Sequence, residues 1–153
     1  MKTYVLMVSK VFPQYHPRKG EQTGFRDKIL ITKNHTLRMN TALWEARAEE
    51  INAGQAILSI RQWSGKPYEP GSHQEEILQL THLGTQHIRL SYNKTKRLWE
   101  GFVSYGKYEK RVNLARLATN DGLSVEDFEQ WFRLQPEGKD LSPVILHFTD
   151  MRY

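Results

Sequence analysis

The sequence predicts a mixed α/β (α+β) fold: a small, partly closed β-barrel of about six strands, with helices inserted after the first strand and before the last. Three observations lead there. Apolar and β-branched runs recur as short segments separated by Gly, Pro and Asn turns. Helical patterns fall in only two places, so a doubly wound sheet with a helix at every crossover is excluded. At 153 residues and 39% hydrophobic content, the chain suits one domain, 1–153, with one core.

Tyr4 to Phe12 is a dense apolar run that Pro13 stops, which suggests a central strand. Gln14 to Gly24 is a polar loop carrying His16, Arg18 and Lys19. Thr23 can cap a short helix from about Gly24 to Ile31, with Phe25 and Ile29 on its buried face. Thr36 to Met39 is the next strand. Asn40-Thr41 can cap a helix over Ala42–Asn52, and Gly54 ends it. Gln55–Trp63 is the clearest strand, followed by the turn-rich Pro67, Pro70 and Gly71.

Glu75–Leu83 and Gln86–Tyr92 read as two strands joined at Gly84-Thr85, and Leu98–Tyr105 as another. Asn113 caps a helix over Leu114–Thr119. Ser124 caps a second helix, with Asp127 at capping-box spacing and Phe128, Trp131 and Phe132 as its apolar stripe. Val144–Phe148 is the final strand.

Charge and composition narrow the function classes. Residues 1–72 hold eleven Lys and Arg against six Asp and Glu, whereas 73–153 hold eleven of each. The whole excess of +5 therefore lies in the first half, where it favours anionic partners. Cysteine is absent, which excludes a disulfide framework and thiolate chemistry. The histidines at 16, 35, 73, 82, 87 and 147 lack metal-ligand spacing. No phosphate-binding loop, dinucleotide fingerprint or nucleophile elbow occurs. The expectation is no metal, no cofactor and no membrane partner, with a cytoplasmic location as the default. Oligomeric state leaves no signature.

Lys33, Thr36 and Arg38 place an ammonium, a hydroxyl and a guanidinium on one helix-to-strand corner, a pattern suited to phosphate or carboxylate. Arg61 and Trp63 share a strand face, with Lys66 just beyond, and supply cation and stacking chemistry. Asp121, in Asn120-Asp121-Gly122, is either a turn former or a carboxylate able to move a proton. The same residues also fit plain surface, core and turn roles.

The chain resembles the ASCH domains of the PUA-like superfamily. The resemblance rests on Lys28-Ile29-Leu30 followed by Lys33-Asn34-His35-Thr36-Leu37-Arg38, on Ala53-Gly54-Gln55-Ala56-Ile57-Leu58, and on Ala118 to Phe128. It implies a PUA-like barrel and RNA or nucleotide binding in a cleft beside it; the residues' own chemistry makes Lys33, Arg38, Arg61, Trp63 and Lys66 the expected ligand-binding residues of that basic cleft. It also implies an alternative, an amidohydrolase acting on an N-acylated nucleoside of the acetylcytidine kind. The lysine and threonine roles then fall on Lys33 and Thr36, and the carboxylate role on Asp121. A third possibility is a protein-interaction adaptor. The expected partners are thus RNA, a nucleotide or a modified nucleoside.

Overall fold

The computed structural model describes residues 1–153. In chain order the elements are β1 (Lys2–Met7), α1 (Phe25–Lys28), β2 (His35–Arg38), α2 (Thr41–Asn52), β3 (Ala56–Trp63) and β4 (Gln74–Leu80). They continue with β5 (Gly84–Asn93), β6 (Leu98–Tyr105), β7 (Tyr108–Val112), α3 (Leu114–Asn120), α4 (Val125–Trp131) and β8 (Val144–His147).

The strands form two sheets, and neither is closed. One has the order β1-β3-β4, the other β2-β8-β5-β6-β7. The expected six-stranded barrel, and with it the PUA-like and ASCH assignment, is therefore overturned: this is a mixed α/β fold with two open sheets. The functions drawn from that barrel fall with it. RNA or nucleotide binding in a cleft beside a barrel and hydrolysis of an N-acylated nucleoside both presumed a scaffold that the chain does not form, and nothing in the two open sheets supports the adaptor reading that stood third.

The physical reason lies at the seam. β1 and β2 are edge strands of different sheets, and no backbone ladder joins them. A side chain bridges them instead: Arg38 Nη2 donates to Met7 O at 2.7 Å. β1 pairs in parallel with β3, from Lys2↔Ala56 to Met7↔Arg61. A parallel pair needs a long crossover, which α1, β2 and α2 supply. α2 buries Trp44, Ala48 and Ile51, spaced at i, i+4 and i+7, and contacts β3, β5 and β8. One continuous cluster of 29 buried apolar residues joins both sheets.

Other expectations shift locally. The first strand stops at Met7, and Val11 and Phe12 instead bond back to the loop at Gln22 and Glu21. The first helix is one turn long, because Leu30 turns left-handed (φ 67°) and its N–H bonds to Lys33 O. β7 was not expected: its residues Tyr-Glu-Lys-Arg are exposed and carry no apolar alternation, yet they pair with β6. The caps at Asn113 and Ser124 form as expected, accepting from Ala115 N and Arg116 N and from Asp127 N. Asp127 does not complete a capping box; its carboxylate accepts from Arg18 Nη1 at 2.5 Å.

β8 is the shortest interior strand, yet it holds β2 and β5 together, and all four of its residues are buried. Ile145→Ala should therefore destabilise the protein by about 2–5 kcal/mol in denaturant unfolding, the range for truncating a core aliphatic. A loss below 1 kcal/mol, on the order of an Ile-to-Val change, would show that β8 does not anchor the second sheet.

Candidate functional site

Lys33 is the largest fully buried side chain, at 2% exposure. It sits in the turn before β2, where its backbone bonds to Lys28 O and forms an antiparallel bridge with Asp121. The neighbouring Asn34 N–H donates to Asn120 O at 2.7 Å. This backbone pairing fixes the turn after α3 against the strand entry. Lys33 Nζ then donates to Asp121 O at 2.8 Å and to Asp121 Oδ1 at 3.3 Å, and lies 4.1 Å from the Phe25 ring centre.

Gly122 makes this approach possible. It adopts φ 81°, and a Cβ there would stand 3.1 Å from Lys33 Cβ. The glycine is thus required both by its left-handed backbone and by the closeness of the lysine stem.

Burial pushes the Lys33 ammonium below its ordinary pKa of 10.5; Asp121 opposes the shift, while the Arg38 and Lys28 charges add to it. Arg38 is also lowered by burial, with Asp121 opposing. Its guanidinium donates to Thr36 Oγ1 at 2.8 Å, Leu37 O at 3.1 Å and Met7 O at 2.7 Å, all neutral acceptors.

These groups line a partly open cavity of about 300 Å³, with Ser9 and the aromatic rings of Phe25, Trp131 and Phe132 among its walls. Lys33, Thr36, Arg38 and Asp121 therefore meet in one place. Arg61, Trp63 and Lys66 do not. Arg61 donates to Ser59 Oγ and Gln74 Oε1, directed along the β3–β4 ladder beside a register shift at Ile60/Arg61. Trp63 and Lys66 line a separate groove, and Lys66 pairs with Glu69 at 3.7 Å.

A buried polar chain lies behind Asp121. Asn120 Nδ2 donates to Tyr153 Oη at 3.0 Å, so the tyrosine proton is directed to His35 Nε2 at 2.5 Å. His35 Nδ1 stands 3.5 Å from Asp121 Oδ1 and makes no hydrogen bond. Tyr153 is held protonated, its pKa pushed up to about 12 mainly by burial. Nothing local in the sequence marked Tyr153. The one available signal was His35's place between Lys33 and Arg38.

No group of three or more His, Cys, Asp or Glu side chains assembles a metal site. No helix is long and apolar enough to cross a membrane. Family models, curated proteins and solved structures were compared with the chain, and none matches it.

Two titrations follow. A lysine with a lowered folded pKa makes stability rise with pH, from that lowered value up to 10.5, because the unfolded chain holds the extra proton there. Asp121→Ala strands the buried ammonium, so it should cost about 3–5 kcal/mol at neutral pH. The cost should shrink toward pH 10.5 in denaturant titrations; a pH-independent cost would contradict a charged Lys33.

His147 is buried beside His35 and Arg152, and burial, first among these causes, lowers its pKa from 6.5 to about 3. Its Nε2–H donates to Gln86 Oε1 at 2.8 Å, while its buried Nδ1 has no partner that would accept from a second proton. The stability this provides is full above pH 6.5 and is lost as pH falls toward 3. His147→Gln keeps the amide-directed donor and should flatten that part of the acid limb, whose slope is up to ~1.4 kcal/mol per pH unit for one proton. An unchanged acid limb in the variant would exclude His147 as its source.

Proposed function

We propose that the protein binds a small organic anion, one molecule per cavity, through Arg38, Thr36 and Lys33. The observation that carries this reading is a charge imbalance. Asp121 is the only carboxylate lining the cavity, and it answers two cations there, Lys33 and Arg38, with Lys28 close enough to add to the lowering at Lys33. Charge removed from water without a partner is costly, and an anionic ligand relieves that cost.

The free hydrogen-bonding groups agree in sign. Asp121 takes two of the Lys33 contacts. Arg38 Nε–H donates to no protein atom, and the Thr36 hydroxyl accepts from Arg38 without donating onward. All three residues thus present donors to the cavity, which suits a carboxylate or a phosphate. Phe25, Trp131 and Phe132 face the apolar part of such a ligand. At about 300 Å³ the cavity is of small-molecule size. This reading replaces the RNA and nucleotide partners expected from the sequence with a smaller ligand.

Titration calorimetry with short carboxylates and alkyl phosphates, beside their neutral amide and alcohol counterparts, tests the reading. The anions should bind and the neutral counterparts should not. Arg38→Met should weaken anion binding at least about tenfold, the loss expected for one charge-assisted contact. Equal binding of amide and carboxylate would refute an anion site.

A further inference from the structure

A second, larger concavity adjoins the first. It is a groove of about 910 Å³ between the segment Met7–Gln14 and the segment Trp63–Glu69. Met7, Val8 and Ser9 line both the groove and the inner cavity, so the end of β1 is their common wall. The two sides of the groove are tied together: Lys10 Nζ donates to Ser64 O at 2.8 Å, and Val8 N–H to Arg61 O at 2.8 Å. The groove is therefore held open by hydrogen bonds that do not depend on a ligand.

Its mouth carries an aromatic pair. The Trp63 and Tyr68 rings lie 4.8 Å apart between centres and are inclined at 57°. Tyr68 is 88% exposed, and its backbone is left-handed at φ 64°. A bulky aromatic residue is rarely found in that region, where glycine is favoured. Neither exposure nor backbone preference accounts for a tyrosine here, whereas a ring held out against Trp63 provides a stacking surface. Polar and charged neighbours, Lys66 and Glu69, pair with each other at 3.7 Å and leave the aromatic faces as the groove's recognition surface.

We infer that the ligand of the inner cavity is an elongated molecule, with an anionic head held by Arg38 and Thr36 and a planar ring that passes the Met7–Ser9 rim to lie against Trp63 and Tyr68. The inference rests on the anion-binding reading of the inner cavity. It adds the substrate class: an aryl-bearing organic anion with a linker between ring and head, not a compact anion such as free phosphate.

The test uses the full chain, calorimetry, and two matched sets of probes: methyl phosphate with ω-phenylalkyl phosphates of increasing linker length, and acetate with the corresponding ω-phenylalkyl carboxylates. Beyond a threshold linker length, affinity should rise about tenfold over the ring-free probe, the size of a favourable aromatic contact. Trp63→Ala, and separately Tyr68→Gly, which removes the ring while suiting the backbone, should abolish that gain and leave the ring-free probes unchanged. The part of the tryptophan fluorescence change that the long probes add to the change given by the ring-free probes beside Trp131 should be lost in Trp63→Ala.

A gain retained in both variants would place the ring among Phe25 and Trp131 and overturn the inference while sparing the anion site. A gain independent of linker length would overturn it in the same way. Failure of every probe to bind, or binding insensitive to Arg38→Met, would overturn the anion site itself and the inference with it.

Discussion

The buried pairing of Lys33 with Asp121 is the constraint on which the rest of the structure turns. A lysine at 2% exposure is tolerable only if its ammonium has oxygen partners. Both partners come from one residue, whose carbonyl and carboxylate are delivered by the end of α3. Backbone pairing between Lys33 and Asp121 then makes the contact geometric as well as electrostatic. It is why Gly122 must follow Asp121, since a side chain there would press on the lysine stem. It is also why α3 and α4 are bound to the entry of β2 and do not stand apart from the sheets.

The same pair explains why the seam between the sheets is a site and not a ladder. Backbone pairing of β1 with β2 would join the two sheets into one, with β4 and β7 left as its edges. Arg38 occupies that seam with three hydrogen bonds to neutral oxygens, one of them to the last residue of β1. A guanidinium spanning two strand edges ties them through a side chain and brings its charge close to Lys33. One carboxylate cannot neutralise both cations, so the scaffold's local solution to an unpaired edge creates a surplus of buried positive charge. Structure and proposed binding role therefore have one origin.

Local features were legible in the sequence because they depend on neighbours along the chain. Asn113 and Ser124 cap their helices. Lys33, Thr36 and Arg38 stood out as a cluster, and Asp121 as a turn carboxylate with two readings. What was hidden depends on pairing between distant segments. β7 consists of exposed charged residues whose strand character comes only from β6. Closure or non-closure of a sheet depends on which edges meet, and no strand's own alternation encodes that. Arg61 was placed on a plausible face with Trp63, but it is engaged by Ser59 and Gln74, so its charge runs along the ladder and away from the cavity. Tyr153 reaches His35 across 118 positions of the chain, which no local pattern could suggest.

The polar chain behind Asp121 sharpens the difference between a structural ion pair and a binding site. If the Lys33–Asp121 pair served stability alone, well-packed apolar residues would do as well or better. Here the pair is supported from behind by His35, Tyr153 and Asn120, and faces a cavity in front. His35 Nδ1 points toward the carboxylate without completing a hydrogen bond, at 3.5 Å. Moving the Asp121 carboxylate toward Arg38 would forfeit its hydrogen bond to Lys33. Arg38 is thereby left without a carboxylate of its own, although one lines the same cavity. The carboxylate held at Lys33 and the excess of cations over carboxylates together leave the positive charge that the proposed anion would answer.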